Sequence, residues 1–98
     1  MQVRYGLLAE LEAAPGQADA LAAFLARARE MAVRETGTVT WYAFKAGDAS
    51  YGIFDTFGTE DARKAHLGGE IPVALGAAAA QLLAAEPRIR PVDILGVK

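Results

Sequence analysis

The sequence feature that most limits the fold is the order in which two hydrophobic spacings follow one another. Apolar residues recur at every second position from Val3 to Glu12, as in a strand with one buried face. From about Gln17 to Glu35 they recur at every third or fourth position, as in an amphipathic helix that Gly37 closes. The chain is therefore predicted to begin with a strand and a helix.

A hairpin is predicted next. Thr38 to Ala46 and Ser50 to Phe57 are rich in β-branched and aromatic residues, and Gly47 and Asp48 supply a turn between them.

The following segment predicts a helix in two pieces. Thr59 precedes two acidic residues, a typical helix start, and the helix is expected to reach about Leu67. Gly68, Gly69 and Pro72 interrupt it with a kink or loop, and a second piece rich in alanine is expected over Val73 to Ala85.

The last segment completes the fold class. Ile89 to Val97 is strand-like, and Pro91 within it has no N–H for a sheet ladder, which favours an edge position or an irregular start of the strand. The order strand, helix, strand, strand, helix, strand predicts an α+β fold of the ferredoxin-like βαββαβ type. Such a fold is a four-stranded antiparallel sheet with two helices on one face. Residues 1–98 are expected to form one domain.

Both faces of this sheet carry large apolar side chains, although two helices can cover only one face. About eight uncovered side chains at roughly 60 to 120 Å² each would leave on the order of 700 Å² in water. That area exceeds the roughly 300–600 Å² patch of a typical monomer and approaches the roughly 800 Å² that each partner buries in a standard interface. A homodimer is therefore predicted.

Charge and composition exclude several classes of function. The net charge of −2 lacks the positive field that nucleic acids attract. No apolar run approaches the roughly 20 residues that span a bilayer, so no membrane partner is expected. The chain has no Cys, which excludes disulfides and thiol catalysis and fits a cytoplasmic location.

Few side chains are candidates for catalysis. His66 is the only His, and it could take a proton near neutral pH, although a lone helical His is more often a buried packing residue with hydrogen bonds. Asp55 and Asp93 could form a carboxylate site if they faced one another. Strand acids more often point to solvent or pair with a nearby Arg such as Arg88 or Arg90, and this is the expectation for both. Spacing alone shows no complete catalytic set.

Aromatic side chains are concentrated on the predicted hairpin. They are numerous enough to line a pocket for a planar ligand, although most are expected to serve the core or an interface. The set is Trp41, Tyr42, Phe44, Tyr51, Phe54 and Phe57.

Three segments resemble a known family: Glu35 to Tyr42, Phe57 to Ala62, and Ala65 to Leu67. Pro15 and Gly16 between the first strand and the helix add to the likeness, which spans nearly the whole chain. Together these features resemble the antibiotic biosynthesis monooxygenase (ABM) family of the dimeric α+β barrel superfamily. The resemblance implies a homodimer whose sheets pack face to face.

The resemblance also implies a chemistry. Some members oxidise hydroxylated aromatics or quinols with dioxygen, using neither metal nor flavin, and the deprotonated substrate supplies the electrons; others bind or degrade haem. Carried onto this chain, the resemblance implies His66 as the catalytic residue and an aromatic wall of Trp41, Tyr51 and Phe54 as the substrate-binding residues. It implies no cofactor and no metal.

Two departures from the family pattern bear on this chemistry. Quinone-forming members have an Asn and a Trp where this chain has Ile53 and Phe57. Haem-degrading relatives have an Asn on the first strand, whereas this chain contains no Asn. A haem-binding function would therefore lack the polar side chain of that strand. The quinone-forming function, which tailors polyketides, would lack the hydrogen-bond donor that the Asn supplies.

Two functional hypotheses follow. The first is a cofactor-independent monooxygenase acting on a small quinol or phenol, with His66 as base or hydrogen-bond partner of the substrate hydroxyl. The second is a dimeric protein that binds a small aromatic metabolite without catalysis.

Overall fold

The computed structural model describes residues 3–98, and within them it confirms the predicted order of elements. The elements are β1 (Tyr5–Glu12), α1 (Ala18–Arg34), β2 (Thr38–Lys45), β3 (Ser50–Phe57), α2 (Glu60–Leu67), α3 (Glu70–Leu82) and β4 (Arg88–Asp93). The strands form one antiparallel sheet in the order β2-β3-β1-β4. The fold is therefore the ferredoxin-like α+β type, with its second helix in two pieces.

Most differences from the predicted boundaries lie in the last third of the chain. α3 starts at Glu70 and not at Val73, because Pro72 falls in the first helical turn, where a missing N–H costs no hydrogen bond. The helix ends at Leu82, since Leu83 is extended and bridges to Ala13 beyond the end of β1.

The last and first strands are also shorter than predicted. β4 ends at Asp93, four residues before the predicted end, and β1 begins at Tyr5, two residues after the predicted start. β4 lies at an edge of the sheet, which confirms the position expected from Pro91.

Alternation along the central strands places the core on one face. Leu7, Ala9 and Leu11 of β1 lie opposite Asp55, Ile53 and Tyr51 of β3 and face the helices. The helices complete this core with buried leucine, isoleucine and alanine side chains, among them Leu21, Leu25, Ile71 and Leu75. Among the described helices, none is both long and apolar enough to cross a bilayer.

The opposite sheet face has no covering layer within the described chain. It carries Tyr42 and Phe44, which are 59% and 38% exposed, together with Leu8, Phe54 and Val92. We refer to these five residues as the open face.

Within the open face, the ring of Phe44 lies directly over Gly52. A Cβ at Gly52 would overlap this ring and would approach the carbonyl oxygen of Ala9 to 2.9 Å. Glycine is therefore the residue that lets the aromatic side chain cover the β3 backbone.

We expect Gly52→Ala to lower the free energy of unfolding by about 1–3 kcal/mol, the usual cost of overpacking. Gly76→Ala is the matched control, because a Cβ at that helical position meets no atom within 4 Å. It should stabilise the protein by about 0.5–1 kcal/mol. Denaturant titration of both variants measures the two effects, and equal stability of the two would contradict the packing described for Phe44.

Candidate active site

His66 lies on α2, and the start of that helix is held firmly against the sheet. The Thr59 side chain accepts a hydrogen bond from the backbone N–H of Ala62, as predicted for a cap. Arg63 donates to both carboxylate oxygens of Glu60 and to the carbonyl oxygens of Gly6 and Val92. These contacts fix the direction in which the next turn of α2 projects His66.

The imidazole of His66 lies between two carboxylates. Its Nδ1 is 2.6 Å from Oε1 of Glu35, and its Nε2 is 3.0 Å from Oδ2 of Asp55. The first contact is a hydrogen bond, whereas the second is a close ion pair whose atoms are not aligned as a hydrogen bond. The hydroxyl of Thr38 donates to the same Oε1 of Glu35 at 2.6 Å. We call Glu35, His66 and Asp55 the carboxylate–imidazole cluster.

Three separate elements bring the cluster together. Glu35 is the C-cap residue that follows α1. Asp55 faces the helices from the middle of β3, and His66 faces the sheet from α2. Asp55 and His66 are buried at 1% and 7% exposure, while the Glu35 side chain is 20% exposed. The cluster is therefore least buried at Glu35, whose Oε2 is buried and has no hydrogen-bond partner among the described residues.

The cluster favours the charged form of His66. Burial of the ring lowers its pKa, but the close contacts and negative charges of Asp55 and Glu35 outweigh burial and raise the pKa of His66 above the ordinary 6.5. Each ring nitrogen faces a carboxylate oxygen, so the doubly protonated imidazolium satisfies both contacts. With His66 protonated, the three groups still carry one excess negative charge.

The positions of Asp55 and Glu35 differ from what the sequence predicts. Asp55 neither points to solvent nor pairs with Arg88 or Arg90; it is buried beside His66. Spacing showed no acid–base set because these residues meet only in the folded chain. Glu35 was missed as a site residue, although it opens the segment that carries the family resemblance. Asp93 is exposed, as expected.

Two neighbouring cavities flank Glu35. One of about 550 Å³ is lined by His66, Gly37, Gly69 and other residues of the loop after α1, α2 and the start of α3. The other, of about 350 Å³, is lined by Trp41 among others. Glu35 and Thr38 line both cavities, so we treat them as one cleft with the carboxylate at its centre.

The predicted aromatic wall is not continuous. Trp41 lies across from Asp55 on the helical side of the sheet and lines the cleft. Tyr51 is on the same side but is 5% exposed, and it lies four residues before Asp55 on β3, away from His66. Phe54 is on the open face. Of the three aromatic residues, the structure therefore places only Trp41 beside the cluster.

Metal ligation is not suggested by the geometry of the part of the chain that the structure describes. Among residues 3–98, no group of three or more His, Asp or Glu side chains has an arrangement that could hold a metal ion. Both nitrogens of the one His are directed to carboxylates.

Several solved structures share this fold. A protein of unknown function from Nitrosomonas europaea is 47% identical, with a TM-score of 0.95 over 98% of this chain and 93% of its own. A "putative antibiotic biosynthesis monooxygenase" from Caulobacter crescentus CB15 is 26% identical, with a TM-score of 0.79 over 97% and 92% of the two chains. One of the same description from Chloroflexus aurantiacus J-10-fl is 26% identical, with a TM-score of 0.73 over 97% and 96%.

No family model matches the sequence, and no curated protein matches it significantly. The fold and the solved structures define an α+β protein of the ferredoxin-like class. The chain belongs to the same family as the Nitrosomonas protein, and this is the ABM-like fold family, as the sequence resemblance predicted.

We expect His66 to titrate above 6.5 in the folded protein. Because the folded pKa is raised, the stability that the cluster contributes is complete below 6.5 and is lost as the pH rises through the folded pKa. His66 is the only His, so its ring protons in an NMR pH titration report this value directly.

Glu35→Gln should lower the titration midpoint of His66, because it removes one of the two charges that favour the imidazolium. Asp93→Asn, which changes an exposed strand acid, should leave it unchanged. A midpoint at or below 6.5 in the unsubstituted protein would show that burial, and not the carboxylates, dominates.

Proposed function

We propose that this protein is a monooxygenase that oxidises a small phenolic or quinol compound with dioxygen. Membership of the ABM-like family supports the general class of reaction. The observation that carries the proposal is the carboxylate–imidazole cluster, which presents Glu35 to a cleft that also contains Trp41. Acid–base groups beside an aromatic side chain are what a phenol needs for deprotonation and ring binding.

The substrate hydroxyl in this proposal lies at the Glu35 end of the cluster. Its proton passes to Glu35, whose Oε1 is hydrogen-bonded to Nδ1 of His66 at 2.6 Å. The buried charge of Asp55 keeps His66 protonated, so that a positive group stays close to the phenolate as it forms. Glu35 is thus the proposed proton acceptor, and His66, which the resemblance implies as the catalytic residue, acts through Glu35 as the neighbouring positive charge.

Oxygen incorporation then needs no external reductant. The phenolate transfers electrons to dioxygen, and a C–O bond forms at a ring carbon that carries hydrogen, para to the oxygen in a simple phenol and ortho to it in a hydroquinone. Loss of the proton on that carbon and cleavage of the O–O bond give the quinone and water. The balance is C₆H₅OH + O₂ → C₆H₄O₂ + H₂O for phenol and C₆H₄(OH)₂ + O₂ → C₆H₃O₂(OH) + H₂O for hydroquinone. The proposal therefore requires neither flavin nor metal, because the substrate supplies all the electrons.

Trp41 is the proposed ring-binding residue among the three aromatic side chains. It faces the cleft, and an aromatic side chain can hold a planar ring by stacking. We do not extend this role to Tyr51 or Phe54 in this protomer, since neither faces the cleft.

One observation favours the alternative, a dimeric binding protein without catalysis. Both nitrogens of His66 are already directed to carboxylates, so neither is free for a substrate hydroxyl. If Glu35 does not accept the substrate proton, the cluster is a structural link between helices and sheet.

Oxygen uptake with a panel of hydroquinones and phenols separates the two functions. Under the monooxygenase proposal, uptake occurs without added flavin or metal. Glu35→Gln and His66→Gln should each reduce it by about two to four orders of magnitude, the usual contribution of acid–base catalysis. Asp93→Asn is the matched control and should retain full activity. Binding of the same compounds with no oxygen uptake would leave the non-catalytic alternative.

We further propose that the protein works as a homodimer in the cytoplasm and that the open face meets a second copy. The open face is an apolar surface that no described element covers. Its residues are Tyr42, Phe44, Leu8, Phe54 and Val92. At roughly 60 to 120 Å² each, five such side chains supply up to about 600 Å², most of the roughly 800 Å² that each partner buries in a standard interface. Without cysteine, the fold depends on its core and on such a partner.

Sedimentation equilibrium tests this assembly. We expect a species of twice 10.3 kDa at micromolar concentration. Tyr42→Glu should shift it towards the monomer, because a two-fold axis places the charge in the interface twice. Val73→Glu adds the same charge at an equally exposed apolar residue of α3 and should not dissociate the dimer. A 10.3 kDa species for the unsubstituted protein would refute the proposal.

A further inference from the structure

The half of the cleft that contains Trp41 also contains an arginine. Its lining includes Arg29, Val33 and Val39 besides Trp41, Glu35 and two threonines. Arg29 and Val33 are one helical turn apart on α1, so both project to the same side of the helix. We propose that Arg29 makes the site selective for an aromatic substrate that carries an anionic group, such as a carboxylated phenol or quinol. This inference rests on the proposed function, because it concerns the same cleft.

Arg29 can accept a new anionic partner at little cost. Among residues 3–98, its one ion-pair partner is the neighbouring Glu30 at 3.5 Å, and both side chains are about two-thirds exposed, at 67% and 70%. Exposed pairs of this kind contribute little stability. Arg34, the other arginine at the cleft, already pairs with Glu70 at 2.8 Å and thereby joins α1 to α3. Arg29 is therefore the cleft arginine that can turn to a ligand without breaking a contact between helices.

The walls between Arg29 and Glu35 suit a single aromatic ring. Val33 and Val39 are 64% and 39% exposed, and apolar side chains this exposed gain from contact with a ring. Trp41 forms part of the same lining. Arg29 precedes Glu35 by six residues, which is about 9 Å along a helix axis. A substituted benzene ring with a hydrogen bond at each end can bridge such a distance.

Charge also fixes the direction in which such a substrate lies. The carboxylate–imidazole cluster keeps one excess negative charge even when His66 is protonated, so it repels an anionic group and favours the neutral hydroxyl. The guanidinium of Arg29 attracts the anionic group at the other end and can bind a carboxylate through two parallel hydrogen bonds. One orientation then places the hydroxyl at Glu35, where the proposed deprotonation occurs.

Two matched ligands test this selectivity by binding alone. 2,5-Dihydroxybenzoate and 2,5-dihydroxybenzamide have similar shapes and differ in charge. Binding is measured without oxygen, so that neither ligand is consumed, by NMR of the indole N–H of Trp41, the only Trp in the chain. The benzoate should bind at least about tenfold more tightly than the benzamide, the factor that a charge-assisted contact of about 1.4 kcal/mol gives.

The variants then assign the effect to one side chain. Arg29→Gln should abolish the preference for the benzoate, whereas Arg27→Gln, at an exposed arginine of the same helix outside the cleft lining, should retain it. Equal affinity for the two ligands, no binding of either, or a preference that survives Arg29→Gln would overturn the inference.

Oxygen uptake with hydroquinone and with the benzamide distinguishes failure of the inference about Arg29 from failure of the proposed function. Turnover without a charge preference would leave the monooxygenase proposal intact and refute the role of Arg29. The protein could instead prefer the benzoate through Arg29 and consume no oxygen with any of the ligands. That result would support the binding inference and refute the monooxygenase proposal.

Discussion

The contact on which this structure most depends is the position of the His66 imidazole between Glu35 and Asp55. It is the point at which α1, β3 and α2 meet through polar side chains, in a protein whose remaining core is apolar. Burying charged groups costs free energy unless each has a partner. Here the imidazolium partners two carboxylates at once, so the loss of His66 leaves two neighbouring carboxylates without compensation, and the loss of either carboxylate removes one of the two partners of the imidazolium. Stability and the proposed chemistry therefore depend on the same three side chains.

The free-energy cost of burying this cluster indicates what the cluster is for. A buried ion cluster is seldom the most stable way to fill a core, because apolar side chains of similar size avoid the cost of desolvation. A protein that needed only a stable contact between α2 and the sheet could place leucine or phenylalanine there, as it does with Phe57 beside the His66 ring. A charged cluster whose Glu35 lines the cleft is therefore easier to explain by proton transfer than by packing.

Local patterns in the sequence predicted the order of the elements, but not which side chains meet between them. The alternating and helical spacings record which residues are apolar, and this was enough for the fold. They do not say which sheet face the helices cover. The sequence predicts Asp55 in solvent or paired with an Arg, and the resemblance implies Phe54 in one aromatic wall with Trp41. The structure buries Asp55 on the helical side of the sheet and places Phe54 on the open face. Glu35 could not be found from periodicity, because it stands just after the last turn of α1, outside any repeating pattern.

Two glycines explain how Glu35 can reach His66 at all. A Cβ at Gly37 would come within 2.9 Å of the Cβ of Ala62, and one at Gly69 would come within 3.0 Å of Oε2 of Glu35. Both distances are shorter than atoms of folded side chains normally allow, so glycine at each position lets the loop after α1 approach α2 and the start of α3. Larger residues would separate these segments and lengthen the 2.6 Å contact between Glu35 and Nδ1 of His66. The Glu35-Thr36-Gly37 segment thus has a physical role: the first residue supplies the carboxylate, and the third leaves the space that lets α2 approach.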